Sequence, residues 1–248
     1  MNMTTKVGCA AAFVLASLAT GATASAVNGT GVLTSNVIYG SGNANGSFTG
    51  VTVGNLELAL RAHLRYDLGG HPQNVFNYDG NDTYAFDPAL SLAPSNRSIF
   101  NFDFSINSDV ADTTNSPSPT LSAYTYLINL AGPGLSLTSY DPFFTGNDNQ
   151  LGYNSTASGS GLFNASTGTY NVAQNSGNLG FGFSSHPQMG GRYTISLSAF
   201  DQTNQQVAST SIHVQVVPLP ASFPLLLGAF GAFGGLAARL RRRRRRAA

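Results

Sequence analysis

Leu56-Glu57-Leu58-Ala59-Leu60-Arg61-Ala62-His63-Leu64-Arg65-Tyr66-Asp67 is the stretch whose reading decides the fold. Leu56, Leu58, Leu60, Ala62, Leu64 and Tyr66 fall on one face of an extended chain. Glu57, Arg61, His63, Arg65 and Asp67 fall on the other, joined by Ala59. Successive side chains of a strand point to opposite faces, so period-two alternation is its signature. The same residues have good helix propensity, and Leu56, Leu60 and Leu64 would also line a helix. The unbroken alternation decides for a strand.

The pattern recurs outward from there. Ile99 to Asn107 turns Phe100, Phe102, Phe104 and Ile106 inward and Asn101, Asp103 and Ser105 outward. Ala123 to Leu130 puts Tyr124, Tyr126, Ile128 and Leu130 on one face. Tyr193, Ile195, Leu197 and Ala199 mark a further strand. Its hairpin partner is Ala208 to Val216, with Ile212, Val214 and Val216 inward and Asp201 to Asn204 as the turn. Fainter alternation predicts strands over Val32 to Tyr39, Ser47 to Val53, Thr83 to Phe86, Leu135 to Tyr140, Thr169 to Ala173 and Leu179 to Phe183. Asn107 to Thr120 and Thr145 to Ser166 read as loops. No segment combines helix caps with a 3.6-residue period. About ten short strands with turn-rich gaps predict an all-β chain, a single β-sandwich or jelly-roll-like domain.

The two ends read differently. Lys6, an apolar run from Val7 to Leu18 and the small residues Ala24-Ser25-Ala26 form a signal-peptide pattern over residues 1–26, with cleavage expected between Ala26 and Val27. Cys9, the only cysteine, would leave with it. The remaining body, 27–217, is 191 residues and has no thiol, hence no disulfide, thiolate metal site or cysteine nucleophile. It keeps four arginines (Arg61, Arg65, Arg97 and Arg192) against eleven acidic residues, a formal net charge of −7. Such a body repels nucleic acid and anionic membranes.

The C-terminal tail, 218–248 with the valine before it, carries Val217-Pro218-Leu219-Pro220-Ala221, then a glycine-rich apolar stretch over about 222–240, then a basic cluster. That cluster is Arg239, Arg241, Arg242, Arg243, Arg244, Arg245 and Arg246. The apolar stretch is near the lower length limit for a bilayer-crossing helix. Arginines stay on the cytoplasmic side, so the body lies outside the cytoplasm. These three parts in this order resemble the VPLPA variant of the PEP-CTERM sorting signal, found on exported proteins of Gram-negative bacteria. The resemblance covers about the last thirty residues. It implies recognition by an exosortase, a membrane-embedded cysteine transpeptidase-like enzyme, and removal of the tail. The implied route is export, signal peptidase cleavage, an inner-membrane-anchored intermediate, then the cell surface or extracellular matrix.

A search for chemistry in the body finds little. His63, His71, His186 and His213 form no H-E-x-x-H or close pair; His63 and His213 fall on polar strand faces and read as surface histidines. There is no G-x-S-x-G elbow, P-loop or dinucleotide fingerprint. Glu57 is the only glutamate. No catalytic residue and no cofactor are assigned. Asn77, Asp79, Asn81, Asp82 and Thr83, with Gly80 in the turn, offer oxygens that calcium favours. The same residues are ordinary turn formers, so no metal is assigned and Asp79, Asn81 and Asp82 stand as the candidate. Asn-x-Ser/Thr triplets start at Asn28, Asn45, Asn81, Asn96, Asn154 and Asn164. The expectation is a non-enzymatic, structural or adhesive surface protein. An exopolysaccharide-binding module is the first alternative and a secreted polysaccharide hydrolase the second.

Overall fold

The computed structural model describes residues 24–40, 43–66, 79–144, 148–163 and 165–217. The part of the expected signal peptide before Ala24, Asp67, His71, Asn77, Asn147, Asn164, Pro218 to Ala221, the apolar stretch and the arginine cluster lie outside them.

Among the described residues the strands, in chain order, are β1 (Ala24–Gly31), β2 (Phe48–Val53), β3 (Leu56–Leu64), β4 (Thr83–Phe86), β5 (Phe100–Asn107), β6 (Thr125–Ala131), β7 (Ser139–Tyr140), β8 (Gln150–Gly152), β9 (Leu162–Phe163), β10 (Val172–Asn178), β11 (Gly191–Phe200) and β12 (Gln206–Val216). The described helix amounts to two single 3-10 turns, Pro88–Leu90 and Leu121–Ala123. The chain is all-β, in two sheets. One has the order β1-β2-β3-β5-β10-β8-β9 and the other β4-β12-β11-β6-β7. Neighbours are antiparallel except β4 and β12, which run parallel.

The strands with the cleanest alternation build the core. Leu58, Leu60 and Ala62 of β3 and Phe102, Phe104 and Ile106 of β5 bury their inner rows against Ile128 of β6, Ile195 and Leu197 of β11, and Ile212 and Val214 of β12. Each such side chain contributes about 1.5–3 kcal/mol when fully buried. The β11–β12 hairpin pairs Ile195 with Ile212 and Tyr193 with Val214. Its turn is held by Asp201, whose Oδ1 accepts from the backbone N–H of Thr203 and of Gln205.

Four expectations are corrected. Val32 to Tyr39 is not a strand. It is an irregular strap that crosses the outer face of the larger sheet, and its backbone groups bond to side chains of the sheet. The expected strand Thr169–Ala173 overlaps the observed one only at Val172 and Ala173, and Leu179–Phe183 is not a strand; β10 runs on to Asn178 and reads Val-Ala-Gln-Asn-Ser-Gly-Asn. That sequence has poor strand propensity, but β5 pairs with its whole length and β8 with Val172 to Gln174 on the other side. Leu135 to Tyr140 shrinks to β7 and a single bridge from Leu135 to Ser184. The expected loop Thr145 to Ser166 contains β8 and β9. At the amino end, β1 crosses the expected cleavage bond: Ala26 pairs with Val51 and Val27 with Gly50 of β2.

Candidate functional site

The outer face of the larger sheet is where the polar rows of β3, β5 and β10 meet. The register sets Arg61 opposite Asp103 and Asp103 opposite Ser176, with Ala59, Ser105 and Gln174 in the next row. These positions were expected on the surface. Instead the strap reaches over Ala59, Arg61, Asp103 and Gln174, and His63, expected exposed, is only 3% accessible. Its Nδ1 lies 3.0 Å from Oδ2 of Asp103. Arg61 donates from Nε to that same oxygen, from Nη1 to the carbonyls of Ala44 and Gly46, and from Nη2 to the Tyr39 hydroxyl. Its guanidinium also lies 4.3 Å over the Phe48 ring. A planar group with five donors suits this many fixed partners.

The strap is tied down elsewhere too. Glu57 accepts from the backbone and hydroxyl of Thr34. Gln174 accepts from the Ile38 N–H and donates to the Asn36 carbonyl and the Ser35 and Ser105 hydroxyls. Leu33, Val37, Tyr39, Phe48 and Ala59 form a small second core beneath it. The apolar Ala59 on an otherwise polar face is thereby explained. Burial pushes the Glu57 carboxyl up despite the Thr34 hydrogen bonds. It also pushes the Asp103 carboxyl up, but His63 and Arg61 beside it prevail and hold that group well below the usual carboxylate range. This network fastens the strap, and it uses most of the charge on the sheet to do so.

The open feature is a groove at the opposite face, where the two sheets part. It has a volume of about 440 Å³ and is lined by Phe104, Tyr140, Asp148, Asn149, Asn175, Ser176, Gly177, Phe181 and Phe183. The cause lies in β10. Its inner-facing positions beyond Ala173 are Asn175, opposite Phe104, and Gly177, opposite Phe102, where the other strands carry large apolar groups. A Cβ at Gly177 would come within 2.5 Å of the Phe102 ring. Tyr140 of β7 and Phe183 form the far wall, with ring centroids 5.0 Å apart. Phe181 stands at the rim, 57% exposed, with the Arg97 guanidinium 4.7 Å from its ring centre.

A short polar chain sets the near wall. Asn175 Nδ2 donates to Oδ1 of Asn149 (3.0 Å) and to Oδ1 of Asp148 (3.2 Å). Asn149, itself buried, donates to the Pro142 carbonyl. The Tyr140 hydroxyl makes no hydrogen bond among the described residues, and burial pushes its titration up, so it remains a donor. Sequence reading missed the aromatic wall. The available signal was Phe181-Gly182-Phe183, an aromatic pair within a glycine-rich stretch.

The other expected residues are placed as follows. Asp79 Oδ1 accepts from the backbone N–H groups of Asn81 and Thr83, which hold its carboxyl below the ordinary range. Asp82 accepts from the Thr83 hydroxyl. Asp79, Asn81 and Asp82 thus sit in an Asx turn in which the Asp79 and Asp82 carboxylates accept from residues of the turn itself. No group of three His, Cys, Asp or Glu able to hold a metal occurs among the described residues. His213 is half-buried beside the Thr194 hydroxyl. Val217 follows β12 directly, and its N–H donates to the Phe86 carbonyl. Among the described residues no helix is long and apolar enough to cross a membrane.

Neither a protein-family model, nor a curated protein, nor a solved structure matches the chain.

Proposed function

We propose that this chain is an exported protein of a Gram-negative cell surface or extracellular matrix, with a structural or adhesive, non-enzymatic role. It is a single jelly-roll-like sandwich flanked by a signal peptide (1–26) and a tail (218–248) that an exosortase recognises through Val217 to Ala221. The tripartite tail carries this reading. Two features of the folded part support it. Strand β12 ends at Val216, so removal of everything after the motif costs the sheets no residue. The histidine–carboxylate pair nearest to catalytic chemistry, His63 with Asp103, is buried, and Asp103 is engaged by Arg61 and by Tyr39 of the strap. Signal peptidase, the exosortase and, before processing, the inner membrane are the implied partners; nucleic acid is not.

Mass spectrometry of the protein recovered from producing cells and medium tests this. The expected amino terminus is Val27, and the expected carboxyl terminus lies at or near the motif. Recovery of the intact chain from the cytosol would overturn the reading. The exopolysaccharide-binding alternative is favoured by one observation, the aromatic groove between the sheets.

A further inference from the structure

We propose that this groove is a binding site for an uncharged polysaccharide, with a pyranose ring seated against Phe181 and Phe183 and its hydroxyls met by Tyr140 and Asp148. The proposal rests on the binding-module alternative and is independent of how the chain is sorted.

The chemistry of the lining selects the ligand. A pyranose presents flat patches of C–H bonds edged by hydroxyls that both donate and accept. Aromatic faces carry negative charge density and attract such C–H edges, in addition to the area they bury. Three aromatic rings line one side of the groove: Tyr140 and Phe183 tilted together, and Phe181 projecting at the rim. Arg97 stacks on Phe181, which restrains an otherwise exposed ring. Restraint before binding lowers the ordering cost of binding.

The polar side is equally prepared. Asn175 spends both amide hydrogens on Asn149 and Asp148, and Asn149 spends one on the Pro142 carbonyl, so both serve to position the wall. What they position is Asp148, whose Oδ1 takes one hydrogen bond and whose Oδ2 takes none among the described residues. Tyr140 supplies a phenolic donor on the other wall. An acceptor and a donor in the lining of a groove of about 440 Å³ match a ring of hydroxyls, and the volume falls in the ordinary range for small-ligand sites.

Charge decides between polymer classes. The lining contains a carboxylate, and the cation at the rim, Arg97, stacks on Phe181 and donates to the Asn96 and Gly180 carbonyls. The body as a whole carries a formal −7. A uronate or sulfated polymer would place like charge against Asp148 at short range, whereas a neutral glucan, mannan or galactan would not.

Affinity electrophoresis tests the site. The full-length chain, in detergent, is run through gels containing neutral polysaccharides (an α-glucan, a β-glucan, a mannan and a galactan) or acidic ones (alginate and polygalacturonate). The variants are Phe181→Ala and Asp148→Ala, both at exposed positions where truncation leaves the fold intact, with thermal melting as the check. At least one neutral polymer should retard the wild-type chain, and each variant should weaken that retardation by roughly tenfold, the effect of losing one centrally placed contact. Retardation by acidic polymers through the arginine tail should be the same in all three proteins. No retardation by any neutral polymer, retardation unaltered by both substitutions, or acidic-polymer binding that the groove substitutions abolish would each overturn the proposal. None of these results bears on whether the tail is processed.

Discussion

Arg61 of β3 and Asp103 of β5 stand opposite each other in the antiparallel register, with Nε 2.7 Å from Oδ2 and neither side chain exposed. An ion pair so placed adds little over a well-packed apolar pair, yet is costly to break from one side. Asp103→Asn leaves a buried guanidinium without its counter-charge and should destabilise the domain by about 3–5 kcal/mol. Replacing both residues, as Arg61→Met with Asp103→Leu, should recover a large part of that loss. Urea unfolding of the single and double variants measures it. A double variant no more stable than the single one would show that Arg61 acts mainly through the strap carbonyls.

The two buried carboxylates should leave opposite marks on stability against pH. The folded-state value of Asp103 is depressed, so its contribution is complete above the unfolded value of about 3.9 and is lost as pH falls below it. Glu57 is raised, so ionised Glu57 costs stability at neutral pH. That cost disappears as pH falls through the raised value towards about 4.3, the unfolded one. The urea midpoint should therefore rise modestly on mild acidification and then drop. Glu57→Gln should remove the rise and leave the drop. A midpoint that declines steadily from neutrality in both proteins would contradict the assignment of Glu57.

Gln174 is the strap's most connected anchor, fully buried and bonded to Ile38, Asn36, Ser35 and Ser105. Gln174→Ala leaves the Ile38 N–H and the Asn36 carbonyl without these partners. Each stranded group costs about 1–3 kcal/mol, giving a loss on the order of 2–4 kcal/mol. Amide exchange should quicken first at Ile38 and its neighbours, ahead of β11 and β12. Uniform acceleration across both sheets would mean that the strap does not open separately.

The Asn-x-Ser/Thr triplets divide by the state of their side-chain nitrogen. Asn45 Nδ2 donates to the Leu33 and Ser35 carbonyls, and Asn154 Nδ2 to those of Asp109 and Asp112. A glycan on either would displace these bonds. Asn81 and Asn96 are exposed. Of these four, Asn81 and Asn96 should accept an N-linked sugar on the folded protein, and Asn45 and Asn154 should not. Glycopeptide mapping checks this, and an occupied Asn154 would contradict the loop structure described here.

Legibility followed burial on one face. Strands β3, β5, β6, β11 and β12 could be read because one row of each is apolar and alternates without a break, as in Phe100, Phe102, Phe104 and Ile106. β10 could not, because it sits mid-sheet with amides and glycines on both faces. Its Gln174 and Asn178 are satisfied by the strap and by Ser98, and its Asn175 and Gly177 leave the groove open. The polar rows of β3 and β5 were legible as rows. Their burial was not, since nothing in Glu57, Arg61 or Asp103 announces a cover supplied by residues 15 to 64 positions earlier in the chain.

Sequence by itself determined the all-β class, the inner faces, the β11–β12 hairpin and the acidic, thiol-free character of the body. These depend on local periodicity and composition, which neighbouring residues alone express. Tertiary structure decided that the strap lies over the charged face, that Arg61 meets Asp103 there, and that Tyr140, Asp148 and Phe181 converge on one groove. Those arrangements depend on strand order and register, and contacts between segments far apart in the chain leave no periodic trace in it.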